Sequence, residues 1–296
     1  MRILNIGSLN IDYVYTVDHI ILAGETEATG SRNIFLGGKG MNQSCALAKA
    51  GVEVYHGGLI GEDGRMFLDA CKEYGVHDQF IRIVDGPSGH TIIQIDKDAQ
   101  NSILLFGGAN QKMTTEFIDE VLSQFDSNDI LLLQNEVNLL PYIVDKAYEK
   151  GMQIALNPSP FNEKLNAVDM KKISIFLLNE VEGFQLTGEK ETEAIIAKLR
   201  KFFPHARIML TLGKDGAVYV DDKQQIFQPI FPVKAVDTTA AGDTFTGYFL
   251  AGLAEGLPME QILRISAKAS SIAVTREGAV PSIPYRAEVL AALNES

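Results

Sequence analysis

The strongest constraint on the fold is a regular alternation of helical and strand-like segments in the middle of the chain. Two segments with the 3.6-residue period of a helix, 115–125 and 139–150, alternate with short apolar runs at 130–134, 153–157 and 173–178. A strand, a crossover helix and a second strand usually place the two strands parallel, with helices on both faces of the sheet. The sequence therefore predicts an α/β fold on a mostly parallel central sheet.

Two other regions, 13–36 and 88–108, have a different pattern. They contain short runs in which polar and apolar residues alternate, broken by glycines, which is typical of strands with one face in water. We expect a small β-sheet apart from the main core, with the runs of 88–108 antiparallel. No repeat, low-complexity tract or long linker interrupts the chain, so we expect one domain over residues 1–296.

The charge balance bears on partners and location. The chain has 26 basic and 38 acidic residues, a formal net charge of −12 and a pI of about 4.9. Nucleic acids and anionic membranes bind basic faces, so we expect neither as a partner. The sequence has no apolar run of about 18 residues and does not open with an export signal, so we expect a cytoplasmic protein. Cys45 and Cys71 are the only cysteines and lack metal-type spacing.

The segment 237–245, Asp-Thr-Thr-Ala-Ala-Gly-Asp-Thr-Phe, is a candidate for chemistry. An apolar run at 230–236 precedes it and a helical pattern starts at Thr244, so we expect a strand, a tight loop and a helix start. The backbone N–H groups of residues 240–242 would then be free to bind an anion such as phosphate. A carboxylate beside phosphate suits a general base, which is one interpretation of Asp243. The alternative is that Asp243 only caps the helix.

Two polar residues follow the first predicted strand, at 2–7. Asn10 and Asp12 alternate with apolar residues, so both side chains are expected on one side of an extended chain, at the sheet edge where ligands bind. An amide and a carboxylate together suit a hydroxyl-rich ligand. The alternative is an ordinary polar turn.

The glycine-rich segment 37–43, Gly-Gly-Lys-Gly-Met-Asn-Gln, precedes an Ala-rich helix. Glycines there let the backbone approach a ligand closely. The segment matches neither a P-loop nor a dinucleotide-binding motif. A flexible turn with a helix cap at Asn42 is the alternative.

Polar residues also follow later predicted strands, including Glu136, Asn157 and Asn179. The carboxyl ends of parallel strands meet at one edge of a sheet, so these residues mark a rim where sites form. Asn179 and Glu182 are three residues apart and share one side of a helix start, where they could hold the hydration shell of Mg²⁺. Alternatively, Glu182 only complements the helix dipole.

Two later segments leave their role open. Residues 213–216 lie between two predicted strands and fit a hairpin turn. Residues 266–275 form a small-residue helix, which permits close packing or leaves room for a flat ligand such as a purine.

The segments 37–43 and 237–245 occur together and in order, and with them the chain resembles the phosphofructokinase-B family of carbohydrate kinases from about residue 7 to 282. Asn179-x-x-Glu182, Thr211-Leu-Gly213 and segment 275–282 also match. The resemblance implies a ribokinase-like three-layer α/β/α sandwich in which the small β-sheet is a lid. It also implies pairing of two subunits through that lid.

The resemblance implies transfer of the γ-phosphoryl group of ATP to a primary hydroxyl of a sugar, D-ribose at O5 first, with Mg²⁺ as cofactor and K⁺ as activator. A nucleoside, a deoxyribose or a hexose is the alternative acceptor, and a non-catalytic sugar-binding regulator is a remote alternative. Asp243 would be the base, and the anion hole would consist of Ala240, Ala241 and Gly242. The sugar would be held by Asn10, Asp12, Gly38, Lys39, Gly40, Asn42 and Glu136. ATP would contact Asn179, Glu182, Thr211, Gly213, Gly216, Gly242 and Lys268, the first two placing Mg²⁺ through water. Potassium would bind at Asp237, Thr239, Ala273, Arg276, Gly278 and Ser282.

Three departures from the family pattern affect specificity. The lid edge at 20–26 lacks the prolines that are common there. Met41 stands where the family's sugar loop usually has alanine, and Lys268 stands where a neutral or imidazole group is expected near the adenine. The sequence therefore leaves the sugar and the base preference open.

Overall fold

A computed structural model describes residues 1–98 and 100–295, so Ala99 of the predicted lid segment 88–108 lies outside the described residues. The strands of the main sheet are β1 (Ile3–Ile6), β4 (Val54–Ile60), β5 (His77–Ile83), β8 (Ile130–Gln134), β9 (Gln153–Asn157), β10 (Ile175–Asn179), β11 (Arg207–Thr211), β12 (Ala217–Val220) and β13 (Gln225–Gln228). The small sheet contains β2 (Asn10–Thr16), β3 (Ser31–Gly37), β6 (Gly89–Ile95) and β7 (Asn101–Phe106). The helices are α1 (Lys39–Lys49), α2 (Met66–Tyr74), α3 (Thr115–Leu122), α4 (Leu140–Glu149), α5 (Glu180–Thr187), α6 (Thr192–Phe202), α7 (Ala241–Glu255), α8 (Met259–Ala273) and α9 (Arg286–Asn294).

The main sheet is mostly parallel, as the alternating pattern predicts. Within the described residues its strand order is β13-β12-β11-β10-β9-β8-β1-β4-β5. The pairs from β11 across to β5 are parallel, and β12 and β13 add an antiparallel edge. Because the strands are parallel, their carboxyl ends meet at one edge, next to which the candidate site lies.

Helices cover both faces of this sheet and bury two apolar cores. Neighbouring residues of a strand face opposite sides, so Ile3 packs into one core and Leu4 into the other. Residues of α1, α2, α7, α8 and α9 contribute to the first core. Residues of α3, α4 and α6 contribute to the second. The predicted three-layer sandwich is confirmed. Among the described residues, no helix is both long and apolar enough to cross a bilayer.

The predicted strand at 230–236 is wrong. The last strand, β13, ends at Gln228, and residues 229–236 are irregular. Pro229 and Pro232 supply no N–H to a strand ladder and restrict the residues before them, which outweighs the apolar character of the run. The helix predicted at 266–275 is also longer than expected, because α8 begins at Met259 after Pro258.

The small sheet is separate from the main sheet and has the order β3-β2-β6-β7. The predicted antiparallel hairpin in 88–108 is confirmed as β6 and β7. Strand β3 is antiparallel to β2, but β2 and β6 at the centre are parallel, which the sequence did not indicate. Region 13–36 holds β3 and most of β2, joined by a loop over residues 17–30 rather than by several short strands.

Candidate active site

Asp243 lies within the first turn of α7, so its interpretation as a helix cap is wrong. The capping residue is Ala240, whose backbone is left-handed with φ 57°. The N–H groups of Ala240, Gly242 and Asp243 have no acceptor in the described part of the chain. The N–H of Ala241 donates to Thr238 O at 3.3 Å. The start of α7 thus places free backbone donors beside one carboxylate.

Two side-chain amides from α1 hold this carboxylate. Asn42 Nδ2 donates to Asp243 Oδ2 at 2.9 Å, and Gln43 Nε2 donates to Asp243 Oδ1 at 2.8 Å. Helix α1 starts at Lys39, with Gly38 as its capping residue in a left-handed conformation at φ 87° that favours glycine. Asn42 therefore lies inside the helix, and the predicted helix cap at Asn42 is wrong.

A cavity of about 230 Å³ lies between the start of α7 and the carboxyl ends of β9, β10 and β11. Lys39, Asn179, Glu182 and Asp243 line it, together with Thr211. Among the lining residues that the structure describes, Lys39 carries the one positive charge. Burial alone would lower the pKa of Lys39, but the charges of Asp243, Glu136 and Glu182 raise it above its usual value. Its ammonium group is therefore held charged at the cavity.

Glu136 lies beside the start of α1. Its Oε2 accepts hydrogen bonds from the backbone N–H of Lys39 at 3.0 Å and from Ser8 Oγ. Burial raises the pKa of Glu136, and these two donors and the charge of Lys39 oppose that rise. Gly40 is tied into the same region, since its N–H donates to Ser8 Oγ at 3.2 Å and its carbonyl accepts from Asn5 at 2.8 Å.

Asn10 and Asp12 lie on β2 of the small sheet, outside the lining of this cavity. Asn110 Nδ2 donates to Asn10 Oδ1 at 2.7 Å, which leaves the amide nitrogen of Asn10 available. Thr91 Oγ1 donates to Asp12 Oδ1 at 2.5 Å. Burial raises the pKa of Asp12 to about 6, assisted by the charge of Glu136, while the Thr91 hydrogen bond opposes the shift.

Asn179 and Glu182 form a reciprocal capping box at the start of α5. Asn179 Oδ1 accepts from the Glu182 N–H at 2.9 Å, and Glu182 Oε2 accepts from the Asn179 N–H at 2.9 Å. Both side chains also line the cavity, so the helix-start role and the site role coincide. Burial raises the pKa of Glu182, while the Asn179 N–H and the charge of Lys39 oppose the shift.

A second, more apolar cavity of about 360 Å³ lies on the other side of the start of α7. Thr211, Gly213, Gly216 and Gly242, four of the seven residues predicted to contact ATP, line it. The remaining wall includes Phe231 and the small residues Ala267, Ser270 and Ser271 of α8. The small-residue helix therefore leaves room for a flat ligand. The predicted turn at 213–216 joins the antiparallel strands β11 and β12.

Lys268 lies outside the lining of either cavity. Its ammonium is 4.7 Å from the centre of the Phe231 ring, so it contacts the wall residue rather than the open space. The contact stabilises the ring by a cation–π interaction.

Asp237, one of the six residues of the implied potassium site, connects the segment before α7 to the segment after α8. Asp237 Oδ1 accepts from the Thr239 N–H at 2.8 Å, and Oδ2 accepts from the Gly278 N–H at 3.0 Å. These hydrogen bonds outweigh burial and lower the pKa of Asp237. The carbonyl of Ala273 accepts from the Arg276 N–H at 3.0 Å, Ser282 Oγ donates to Ala279 O at 2.7 Å, and the Arg276 guanidinium pairs with Glu288.

The donor set suits a monovalent cation better than a divalent one. Within residues 1–98 and 100–295, no group of three or more His, Cys, Asp or Glu side chains could hold a metal ion. The candidate oxygens are one carboxylate, Asp237, with hydroxyl and main-chain oxygens, and K⁺ sites are built largely from such neutral oxygens.

Several site residues were not singled out from the sequence. Ser8, Thr91 and Asn110 position Glu136, Asp12 and Asn10, and each acts across a long sequence separation. Gln43 lies in the glycine-rich segment 37–43, and Gln134 is the last residue of the strand predicted at 130–134. These two positions were the only sequence signal for a role in the site.

Comparisons with known proteins agree with this geometry. A model of the "pfkB family carbohydrate kinase" matches residues 2–286. A ribokinase of Haemophilus influenzae is 35% identical, covering 96% of each chain. A ribokinase of Arabidopsis thaliana is 34% identical over 98% of this chain and 80% of its own length. The structure of Arabidopsis thaliana ribokinase complexed with ribose and ATP superposes with a TM-score of 0.89 at 32% identity, covering 99% of each chain.

Proposed function

This chain belongs to the pfkB family of carbohydrate kinases, and on that premise we propose that it transfers the γ-phosphoryl group of ATP to the primary hydroxyl of D-ribose, forming ribose 5-phosphate and ADP. Ribokinases that match nearly the whole chain support ribose as the acceptor. The observation that carries the reaction type is Asp243, beside free backbone donors and at a cavity that also holds Lys39.

Asp243 acts as the general base. It takes the proton of the sugar hydroxyl while that oxygen attacks the γ-phosphorus, and the bond from the phosphorus to the ADP oxygen breaks. Asn42 and Gln43 each occupy one lone pair on a different carboxylate oxygen, so the other lone pairs remain for the hydroxyl. Such a transfer depends mostly on positioning and on charge stabilisation.

The start of α7 stabilises the charge on the transferred group. The N–H groups of Ala240 and Gly242, which have no acceptor among the described residues, donate to phosphate oxygens, and the N–H of Ala241 exchanges its long 3.3 Å bond to Thr238 for another phosphate oxygen. Lys39 contributes its ammonium charge from the opposite helix.

The sugar lies between α1 and the small sheet. Asn10 donates through its amide nitrogen. The sugar hydroxyls donate to the carboxylates of Asp12 and Glu136 and to Asn42 Oδ1, which has no partner within the described residues. Gly38 and Gly40 shape the loop, since the backbone of Gly40 is already bonded to Ser8 and Asn5.

ATP occupies the apolar cavity, with its phosphates directed toward the start of α7. Thr211, Gly213, Gly216 and Gly242 form the wall, and Lys268 supports it through Phe231. Mg²⁺ is the general cofactor of an ATP-dependent kinase; Asn179 and Glu182 would hold it through water, and it would offset the charge of the triphosphate. These residues fit it, because Mg²⁺ keeps several waters and needs one or two carboxylates near the phosphates.

We further propose that K⁺ binds at Asp237, Thr239, Ala273, Arg276, Gly278 and Ser282. Because Asp237 ties the segment before α7 to the segment after α8, a cation there would fix the anion-binding loop.

We propose that the whole chain acts as one unit in the cytoplasm, with the small sheet as a lid through which two copies pair. Ile34 of β3, Ile92 of β6 and Leu104 of β7 lie in one row across the sheet and are 43%, 39% and 67% exposed. Such contiguous apolar surface suggests a protein interface.

The test is a coupled assay of ADP formation with ribose, deoxyribose, nucleosides and hexoses, each with and without K⁺. Ribose should give the highest kcat/KM. Preference for a nucleoside would remove ribose as the substrate and leave the mechanism. Turnover of no acceptor would favour a sugar-binding regulator.

Asp243→Asn tests the base. The turnover should fall by about 10²–10⁴-fold, the usual contribution of a general base, with ATP and sugar affinities retained. The control is Asp69→Asn, an exposed acid in the first turn of α2, which should not change turnover. An unchanged rate of the chemical step in Asp243→Asn would contradict the role.

A further inference from the structure

The Gln43 amide that holds Asp243 is one link in a longer chain of buried polar side chains. Gln134 Nε2 donates to Gln43 Oε1 at 2.6 Å and to Asn5 Oδ1 at 3.0 Å. Asn5 Nδ2 bonds Ser44 Oγ at 2.9 Å, and Ser44 Oγ lies 2.8 Å from His56 Nδ1. The five residues behind Asp243 are at most 1% exposed: Asn5, Gln43, Ser44, His56 and Gln134.

Only one orientation of the Gln43 and Gln134 amides satisfies their contacts. An ionised carboxylate can only accept, so Gln43 must turn its NH₂ group to Asp243 and its oxygen to Gln134. Gln134 must then present its NH₂ group, whose second hydrogen goes to Asn5. The orientation of Gln43 is therefore fixed by Gln134, and not by Asp243 alone.

This orientation leaves one polar atom of Gln134 without a partner. Gln134 Oε1 is buried and has no hydrogen-bond partner within the described residues. It faces Gly7, where a Cβ would lie 2.4 Å from it. Reversing the amide would set this oxygen against two acceptors, those of Gln43 and Asn5. An unpaired buried acceptor destabilises a fold, and such exceptions to polar satisfaction are expected where function requires them.

We propose that Gln134 is a positioning residue for phosphoryl transfer, acting on Asp243 through Gln43. It keeps the NH₂ group of Gln43 on Asp243 Oδ1, so that the carboxylate presents the same lone pair to each incoming hydroxyl. The inference rests on the proposed function, because it requires Asp243 to be the base.

A double-mutant cycle in kcat tests this role. Methionine has nearly the same length as glutamine but no polar amide, so Gln43→Met and Gln134→Met each remove one link. Gln43→Met should lower kcat by about 10- to 100-fold, the range that corresponds to one hydrogen bond to a charged group, and Gln134→Met should lower it by at most as much, with little change in KM for sugar or ATP in either variant. The double variant should be no slower than Gln43→Met, because Gln134 acts only through Gln43.

A second variant keeps the test decisive if Gln134→Met folds poorly. In Gln134→Glu the carboxyl group can donate to Gln43 only when it is protonated. The kcat of Gln134→Glu relative to wild type should therefore rise as the pH falls. A purely structural role for Gln134 does not predict this recovery.

Tyr248→Phe is the matched control, because it also removes one buried hydrogen bond, from Tyr248 to Pro284 O at 2.8 Å on the same helix as Asp243. It should lower stability without lowering kcat. The inference would be overturned if Gln134→Met had the kcat of the wild type, or if the losses of the two single variants multiplied in the double variant. The proposed function would still stand in either case, provided that the wild-type enzyme phosphorylates ribose. A wild type that phosphorylates no acceptor would overturn both.

Discussion

Sugar binding should weaken as the pH falls through about 6, because Asp12 titrates there. Asp12 lies on β2, where its carboxylate accepts a hydrogen bond from Thr91. The negative charge of Glu136 acts on the same carboxylate and raises its pKa. Burial raises its pKa from 3.8 to about 6. An ionised carboxylate accepts on both oxygens, whereas protonation turns one oxygen into a donor, so protonation removes an acceptor from the site.

The size of the effect follows from this pKa. With a value of about 6, the ionised fraction is about nine tenths at pH 7 and about one tenth at pH 5. If only the ionised form binds sugar well, the dissociation constant should rise about tenfold between those two pH values. The stability effect has the opposite sign. The pKa is higher in the folded state, so the contribution of Asp12 is favourable at low pH and is lost as the pH rises through about 6.

The assay is calorimetric titration of the sugar without nucleotide, because ATP titrates in the same range. Asp12→Asn should bind sugar weakly at every pH and lose the pH dependence, yet unfold at a higher temperature than wild type at pH 8. Thr91→Val removes the hydrogen bond that lowers the pKa, so the midpoint should move to higher pH.

Two results would refute this reasoning. A sugar affinity that is equal at pH 5 and pH 7 would show that Asp12 does not titrate there or does not bind the sugar. A pH dependence that survives in Asp12→Asn would assign it to another group, for which Glu136 is the nearest candidate because burial raises its pKa too.

Two other substitutions test the supports of the site. In Glu182→Gln the side chain can still accept a hydrogen bond from the Asn179 N–H, so α5 should be unaffected. Loss of the charge should raise the KM for Mg²⁺–ATP about 10- to 100-fold, the usual effect of changing a residue that contacts a metal ion through water. Lys49 is buried and donates to Val280 O at 2.8 Å and to Ile283 O at 2.9 Å, so Lys49→Met should lower the free energy of unfolding by about 2–4 kcal/mol in urea titration. The exposed Lys150→Met is the control for Lys49 and should change little; an equal loss in both would contradict the carbonyl contacts.

Much of the fold could be predicted because the strongest signals in this chain are local. The apolar runs at β8 and β9 are buried on both faces, and the helices between them have a clear period, so the parallel sheet follows from them. The polar residues after those strands then mark the rim. Asn179 and Glu182 could be placed at a helix start for the same reason.

The remaining features depend on contacts between distant residues. Asn110 lies 100 residues from the Asn10 side chain that it orients, and Gln134 lies 91 residues from Gln43, so no local pattern marks either pair. The parallel pairing of β2 with β6 likewise depends on how the intervening chain crosses over. The predicted strand at 230–236 does not form, because Pro229 and Pro232 prevent a strand ladder there despite the apolar residues.

Gly38 alone separates the end of β3 from the start of α1. One residue offers little slack, so a tilt of the small sheet would also turn the first two turns of α1, which carry Asn42 and Gln43. A movement of the proposed lid over a sugar would then shift the two amides on Asp243. Sugar binding beneath the lid would in this way be coupled mechanically to the alignment of the proposed base.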